Sequence, residues 1–330
     1  MNLETILGML EAISVGDALG MPTEFMSRQE ISSRFGFVDR LLAPAESKLH
    51  KNLPYASVTD DTEQVLWLLD HYLREGVDTK GTAKCLLDWV RETHADTRGY
   101  IGPTSLKALA AIEAGANPLV SGKGGNTCGA LMRTPAAVFA CLGADENTCI
   151  EAIVACCIPT HNSSAALESA VAFGLALRAA LGGASKAAVM EAALRGAAIG
   201  AATTEDEFPN PSSSARIRHV MDLAPGWRKP SDVMEFLYDV LGTGLPSWET
   251  CPAIFGIFLH AGADAWLAVK MGASLGGDTD TIAAMSGALC AAFAGRSNLP
   301  VAIVREVCAV NKLDLARIAR AVVDHAPKAG

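Results

Sequence analysis

Apolar residues recur at intervals of three and four along most of this 330-residue chain, and this spacing constrains the fold more than any other feature. Strand-like alternation is scarce, and aromatic residues make up only 6% of the chain, which favours close helix packing over sheets. The sequence therefore predicts an all-α fold, a compact domain of many helices. One apolar helix face, with the spacing i, i+3, i+4, i+7, i+8, is formed by Val65, Leu68, Leu69, Tyr72 and Leu73.

The same spacing predicts further helices on both sides of this one. The connectors between them are rich in Gly, Pro and Ser, but none has the composition of a linker, so we expect a single domain over residues 1–330. The further helices are predicted at residues 3–14, 81–92, 104–114, 131–141, 146–156, 163–181, 185–202, 231–241, 251–270, 279–294 and 300–309.

Charge and cysteine content narrow the function classes. The net charge is −9 and there is no run rich in Lys and Arg, so nothing favours nucleic acid as a partner. Nine cysteines without CxxC spacing, and no secretion signal, predict reduced thiols in a cytoplasmic protein. The apolar stretch 165–181 contains Glu168 and Arg178, so it predicts a buried helix and no membrane partner.

A first cluster of oxygen-bearing side chains, Thr59, Asp60 and Asp61, opens a predicted helix. Carboxylate and hydroxyl oxygens are the ligands that Mg²⁺ and Mn²⁺ prefer. Simple N-capping is the alternative, because Thr and Asp are also preferred at helix starts. The spacing of Asp60 and Glu63 resembles a capping box.

A second cluster, Asp278, Asp280 and Thr281, follows the glycine pair Gly276-Gly277. A helix has one N-cap, so capping cannot use all of these side chains, and the surplus acids repel each other unless a cation compensates them. We therefore expect the two helix starts to converge and to hold a pair of divalent cations. A solvated acidic turn is the alternative.

A third element runs from Gly16 to Glu24 and ends in a loop. Glu24 is a candidate for a mobile acid or base, and a solvent-exposed loop glutamate is the alternative.

Together these elements resemble the ADP-ribosylglycohydrolase family, which includes dinitrogenase reductase-activating glycohydrolase and the ADP-ribosyl-acceptor hydrolases. The family implies an orthogonal multi-helix bundle with two Mg²⁺ or Mn²⁺ ions in a cleft. It also implies hydrolysis of the glycosidic bond between ADP-ribose and an acceptor, either a protein side chain or a small molecule. The resemblance covers nearly the whole chain, through GDALGMPTEF (16–25), TDDTEQ (59–64), CGALMR (128–133), PTHNSSA (159–165) and GGDTDTIAAMSGAL (276–289).

The resemblance also implies roles for individual residues. The metal ligands would be Thr59, Asp60, Asp61, Asp278, Asp280 and Thr281. Glu24 would be the flap glutamate that acts as general acid or base, and Asp61 or Asp280 would orient a water. Three groups would form the substrate site. Gly124, Gly125 and Asn126 would be the glycine-rich loop that binds the diphosphate. Gly129 would allow the next helix to approach closely, and His161 would lie near the distal ribose. The alternatives are a flexible loop for Gly124, Gly125 and Asn126, and a cap-neighbouring histidine for His161.

Two positions depart from the family pattern. Cys128 stands where the family often has Asn, and Tyr100 stands where many members have an aspartate before Ile-Gly. That aspartate is missing unless Asp96 substitutes for it. Neither departure removes a metal ligand, but both bear on the acceptor.

Three alternatives compete with this function. Isoprenoid synthases also bind Mg²⁺ through Asp-rich helices, but their aspartates lie within helices, whereas here they lie at helix starts. A non-catalytic relative that binds ADP-ribose is the second alternative, although all six expected ligands are present. The third keeps the fold and metals and acts on another ribosyl or nucleoside compound.

Overall fold

The structure is a computed structural model that describes residues 2–326. Within this range it contains seventeen α-helices, two isolated β-bridges and no strand, which confirms the predicted all-α class. The helices are α1 (Leu3–Gly20), α2 (Arg28–Phe35), α3 (Asp60–Glu75), α4 (Thr79–Thr93), α5 (Ala95–Arg98), α6 (Pro103–Glu113), α7 (Thr134–Ala140), α8 (Glu146–Cys157), α9 (Ser164–Leu181), α10 (Lys186–Ala201), α11 (Ser213–Leu223), α12 (Pro230–Phe236), α13 (Ser247–Ala261), α14 (Ala265–Leu275), α15 (Thr279–Ala294), α16 (Val301–Asn311) and α17 (Leu315–His325).

The helix boundaries differ from the prediction in several places. The single helix predicted at 251–270 is wrong, because Gly262 ends α13 with a positive φ of 60° and the Asp264 side chain caps α14. The segment predicted as a helix at 231–241 is α12 followed by one π-helical turn, Leu237–Leu241. No predicted range covers the helices α2, α5, α11 and α17.

Glycines let the first helix pack tightly against one of the last. A Cβ atom added to Gly16 would lie 2.5 Å from the backbone nitrogen of Ala284, and one added to Gly20 would lie 2.5 Å from the carbonyl oxygen of Thr279. Only hydrogen fits at these two positions, which are one turn apart on one face of α1. The C-terminal end of α1 is therefore held directly against the N-terminal end of α15.

The most apolar helix, α9, lies in the core. It is long and apolar enough to cross a membrane by length and composition alone, but 78% of it is buried inside the protein. The neighbouring α10 approaches it through Gly196 and Gly200, where a Cβ would lie 2.4 Å and 2.1 Å from α9 carbonyl oxygens. Buried apolar side chains form one connected cluster from Ile6 in α1 to Val322 in α17. All nine cysteines are free thiols.

Candidate metal centre and active site

The two acidic helix starts meet inside the protein. Asp60 is the first residue of α3, and Asp278 directly precedes the first residue of α15. The Thr281 hydroxyl donates to Oδ2 of Asp61 at 3.3 Å, across 220 positions of sequence. Asp60, Asp61, Asp278, Asp280 and Thr281 are all buried, and the solvated acidic turn is therefore excluded. The aspartates lie at helix starts, unlike those of isoprenoid synthases.

A buried aspartate in α1, Asp17, holds the start of α3 in place. Its carboxylate accepts hydrogen bonds from the backbone N–H groups of Thr59 and Thr62, at 2.9–3.0 Å, and from their hydroxyls at 2.7 Å and 2.6 Å. These contacts satisfy backbone donors that the first turn of a helix leaves unpaired. Asp17 lies in the GDALG segment that resembles the family, but its spacing to Thr59 and Thr62 gives no signal of this role.

The predicted capping box at the start of α3 is wrong. Thr59, the N-cap residue, makes no side-chain capping bond to its own helix, because its hydroxyl donates to Asp17. Glu63 turns away from the helix start, and its Oε2 accepts from Trp89 Nε1 at 2.9 Å and from the Tyr100 hydroxyl at 2.7 Å. Asp60 and Asp61 are therefore free of a capping role, and the Thr59 oxygen retains lone pairs for a ligand.

The glycine pair before α15 sets the direction of Asp278. Gly276 and Gly277 have φ values of 89° and 82°, which glycine adopts without strain. A Cβ on Gly277 would lie 2.1 Å from the carbonyl oxygen of Thr243, and that same oxygen accepts the Asp278 N–H at 2.7 Å. The turn can therefore be this tight only with glycine at position 277.

Glu24 lies beside the same turn and is buried. The N–H of the next residue, Phe25, donates to the carbonyl oxygen of Gly277 at 2.8 Å, which ties the Glu24 loop to α15. The side chain of Glu24 is directed inward, with Oε2 2.6 Å from Nε2 of His50. The exposed-loop alternative for Glu24 is therefore wrong. His50, also buried, is a site residue that no sequence signal indicated.

Electrostatics show that this cluster lacks positive charge. Burial and repulsion from neighbouring acids raise the pKa values of Glu24, Asp60, Asp61 and Asp278 well above the ordinary range. Burial also raises the pKa of Asp17, to about 7, against the lowering effect of its threonine hydrogen bonds. Within residues 2–326, the only basic side chain paired with any of these acids is His50.

The donor atoms of the cluster fit divalent cations. Oδ1 of Asp61 is buried and has no hydrogen-bond partner, which is costly for a carboxylate oxygen unless a cation contacts it. One ligand atom from each of Glu24, His50 and Asp280 lies within 4.8 Å of the other two. Buried carboxylates and hydroxyls without counter-charge are the donor set that hard divalent cations require.

A small cavity of about 50 Å³ opens onto the acids. Both residues that depart from the family pattern, Tyr100 and Cys128, line it, together with Gly102 and Gly129. The Cys128 thiol lies 3.8 Å from the hydroxyl of Thr281. Asp96 is exposed on α5 and does not line this cavity, so it does not substitute for the missing aspartate.

The glycine-rich loop packs against the segment that precedes α9. A Cβ on Gly125 would lie 2.4 Å from the carbonyl oxygen of Thr160, and Ser163, the N-cap of α9, donates to the carbonyl oxygen of Gly125 at 2.6 Å. Gly124 has a φ of 74°, and its N–H donates to the carboxylate of Asp206 at 2.7 Å. A backbone donor of this loop therefore binds a carboxylate. Asn126 is half-buried, and its carbonyl oxygen accepts from Ser247.

His161 is not among the residues that line the cavity. It is fully buried, and its two ring nitrogens bond the hydroxyls of Thr127 at 2.7 Å and Thr160 at 2.8 Å. Burial, with the nearby Arg133 guanidinium, lowers its pKa well below the ordinary value. Gly129 makes room for the ring, since a Cβ there would lie 2.7 Å from His161 Cε1. His161 thus supports Thr127, which lines the cavity.

Comparison with known proteins agrees with this architecture. The family model described as ADP-ribosylglycohydrolase matches residues 2–329. The chain is 33% identical over 330 residues to the uncharacterized protein YegU of Escherichia coli K12, covering 98% of each, and 30% identical over 283 residues to an uncharacterized protein of Archaeoglobus fulgidus, covering 84% of this chain and 83% of that one. A solved structure titled "ADP-ribosylglycohydrolase-related protein complex" has the same fold, with a TM-score of 0.69 at 22% identity over 98% of this chain and 99% of the other.

Proposed function

This chain belongs to the ADP-ribosylglycohydrolase family, and we propose that it is a metal-dependent hydrolase that cleaves the glycosidic bond between ADP-ribose and an acceptor. The acceptor is a protein side chain or the non-ADP-ribose part of a small molecule, so the substrate is an ADP-ribosylated protein or a small molecule that contains ADP-ribose. The observation that carries the proposal is the convergence of buried, uncompensated carboxylates from two helix starts beside a cavity.

Two Mg²⁺ or Mn²⁺ ions are the proposed cofactors. When bound, they supply Lewis-acid charge and lower the pKa of a coordinated water. The oxygen ligands proposed for them are Thr59, Asp60, Asp61, Asp278, Asp280 and Thr281. The unpartnered Oδ1 of Asp61 and the absence of a lysine or arginine paired with the acids among residues 2–326 support this assignment.

The other catalytic and binding roles are assigned to residues in and around the acidic cluster. Glu24 lines the cavity beside the acids and is the proposed general acid or base, a role that it takes with substrate bound. Asp61 or Asp280 orients the attacking water. The backbone N–H group of Gly124 is the proposed donor to the diphosphate, because a carboxylate already binds it in the structure. The Gly125 N–H donates to the carbonyl oxygen of Gly122 at 3.0 Å, so Gly125 contributes through its close packing. His161 acts on substrate only through Thr127.

A second candidate function has its own support. Tyr100 and Cys128 both line the cavity at positions where the family often has other residues, and lining residues set which substrate fits. The same fold and metal centre could therefore act on a different ribosyl or nucleoside compound. A non-catalytic ADP-ribose binder has no comparable support, because every expected ligand is present and buried.

A release assay tests the proposal. ADP-ribosyl-arginine, ADP-ribosyl-serine and O-acetyl-ADP-ribose are incubated with the protein in Mg²⁺, Mn²⁺ or EDTA, and free ADP-ribose is measured. We expect metal-dependent release from at least one compound, and a loss of at least about a hundredfold in Asp61→Asn. Asp70→Asn is the matched control, because Asp70 lies exposed on the same helix. Full turnover by Asp61→Asn would contradict the assignment of Asp61 as a metal ligand. Binding of ADP-ribose by wild type without release from any compound would favour a non-catalytic ADP-ribose-binding protein.

A further inference from the structure

His50 has an unusual position for a loop histidine. It is 4% exposed, and its backbone N–H donates to the hydroxyl of Ser47 at 3.0 Å, which fixes the loop that carries it. Its Nε2 lies 2.6 Å from Oε2 of Glu24, while Nδ1 is buried and has no hydrogen-bond partner. A neutral imidazole has one N–H and one lone pair. Only one of its nitrogens is therefore accounted for by the protein.

The neighbours of His50 are carboxylates that lack a counter-charge. Glu24 and Asp280 are close enough to repel each other, and each offers a ligand atom within 4.8 Å of one on His50. All three side chains are buried, so water does not screen this repulsion. A cation bound by the three groups would relieve the repulsion and engage the imidazole lone pair.

From this arrangement we propose that Glu24, His50 and Asp280 form a mixed nitrogen and oxygen ligand set for one divalent cation. The inference rests on the proposed function, because it adds a ligand to the same metal centre. Imidazole suits first-row transition ions, whereas Mg²⁺ is usually bound by carboxylates and water. His50 therefore makes this part of the centre prefer a transition ion such as Mn²⁺ over Mg²⁺.

The competing role for His50 is a hydrogen bond that only positions Glu24. That role needs only the contact between Nε2 of His50 and Oε2 of Glu24. It also predicts that the choice between Mn²⁺ and Mg²⁺ does not depend on the imidazole. Metal binding without any substrate separates the two roles.

The test uses untagged, chelator-treated protein titrated separately with Mn²⁺ and Mg²⁺ by isothermal calorimetry. Wild type is expected to bind Mn²⁺ more tightly. His50→Gln should weaken Mn²⁺ binding by at least about tenfold and Mg²⁺ binding by less than about threefold. Pulsed electron paramagnetic resonance of the Mn²⁺-loaded protein should show coupling to an imidazole nitrogen that is lost in His50→Gln. His325→Gln, which changes an exposed histidine at the end of α17, should match wild type.

The outcomes distinguish this inference from the proposed function. Mn²⁺ binding without nitrogen coupling in wild type, or coupling that persists in His50→Gln, overturns the role of His50 and leaves the metal centre intact. Binding of neither ion to wild type overturns both. If His50→Gln does not fold, His50→Asn and the wild-type spectrum decide between the two roles.

Discussion

At the scale of single residues, the centre depends on polar groups that the sequence does not mark as special. Asp17 receives the hydrogen bonds of Thr59 and Thr62, and His50 contacts Glu24. The acids at helix starts could be predicted, because more of them are present than capping can use. Asp17 and His50 could not, because their roles depend on tertiary neighbours that lie 42 and 26 positions away.

The neutral state of His161 gives a prediction about pH. Its pKa is lowered in the folded state, so between about pH 6.5 and that lowered value the unfolded chain binds a proton that the folded protein does not. The contribution of His161 to stability therefore falls as the pH falls below about 6.5, by up to about 1.4 kcal/mol per pH unit for one such group. The buried acids, whose pKa values are raised, contribute with the opposite sign. Urea unfolding of wild type and His161→Gln at pH 7.5 and 5.5 isolates the contribution of His161.

Acidification from pH 7.5 to 5.5 should lower the stability of wild type relative to that of His161→Gln, which has no titrating ring. His325→Gln is the control, because His325 is exposed in the structure. An identical pH dependence in wild type and His161→Gln would contradict a neutral buried His161.

At the scale of elements, the contact between α1 and α15 positions the acids. A Cβ on Gly20 would lie 2.6 Å from Cα of Asp280, on the backbone that carries a proposed ligand. We predict that Gly20→Ala pushes α15 away, which lowers the free energy of unfolding by about 1–3 kcal/mol. It should also weaken Mn²⁺ binding, and both effects can be measured by urea unfolding and calorimetry.

Gly182→Ala provides the matched comparison for this prediction. Gly182 follows α9 with a negative φ, and an added Cβ would approach no atom closer than 3.4 Å. Its stability and Mn²⁺ affinity should stay near those of wild type. Unchanged Mn²⁺ affinity in Gly20→Ala would show that the centre tolerates a displaced α15.

The loop between α10 and α11 gives another prediction at this scale. Asp206 binds the Gly124 N–H, so its carboxylate competes with any anion for that donor. Asp206→Ala should therefore raise the affinity for ADP-ribose severalfold, as measured by calorimetry on metal-loaded protein. Glu207→Ala removes a neighbouring exposed charge and should have a smaller effect. Equal gains in both variants would indicate general charge repulsion.

Helix positions were more predictable than helix ends. Apolar spacing identified α3, α8, α9 and α15 because each buries one or more faces. The break at Gly262 was missed although Gly and Asp264 are ordinary stop and start signals. The helix α17 was also missed, although Leu315, Ala319 and Val322 form a helical apolar face.

At the scale of the whole molecule, the uncompensated acids link metal binding to stability. Removal of the ions leaves buried carboxylates that repel each other, so the thermal midpoint should fall in EDTA. A free ion concentration about 100 times the dissociation constant stabilises the folded state by about 2.7 kcal/mol. Differential scanning calorimetry in EDTA, Mg²⁺ and Mn²⁺ measures this shift.

The Asp61→Asn variant should show a smaller gain than wild type, and Na⁺ at equal ionic strength should give none. A midpoint that is the same in EDTA and in either divalent ion would contradict a metal centre at these acids. The sequence predicted that the acidic helix starts near positions 60 and 280 converge. It could not give the contacts of Asp17 and His50 with this cluster, because those are set by tertiary packing.

The pairing of α1 with α15 also has a consequence during synthesis. The Thr279 hydroxyl donates to the carbonyl oxygen of Gly20 across 259 positions, so α1 leaves the ribosome long before its partner α15. Contacts so distant in sequence form late and slow folding. Until α15 emerges, nascent chains carry Asp60 and Asp61 without Asp278 and Asp280, and acquisition of the ions would mark the moment when α15 has joined α1.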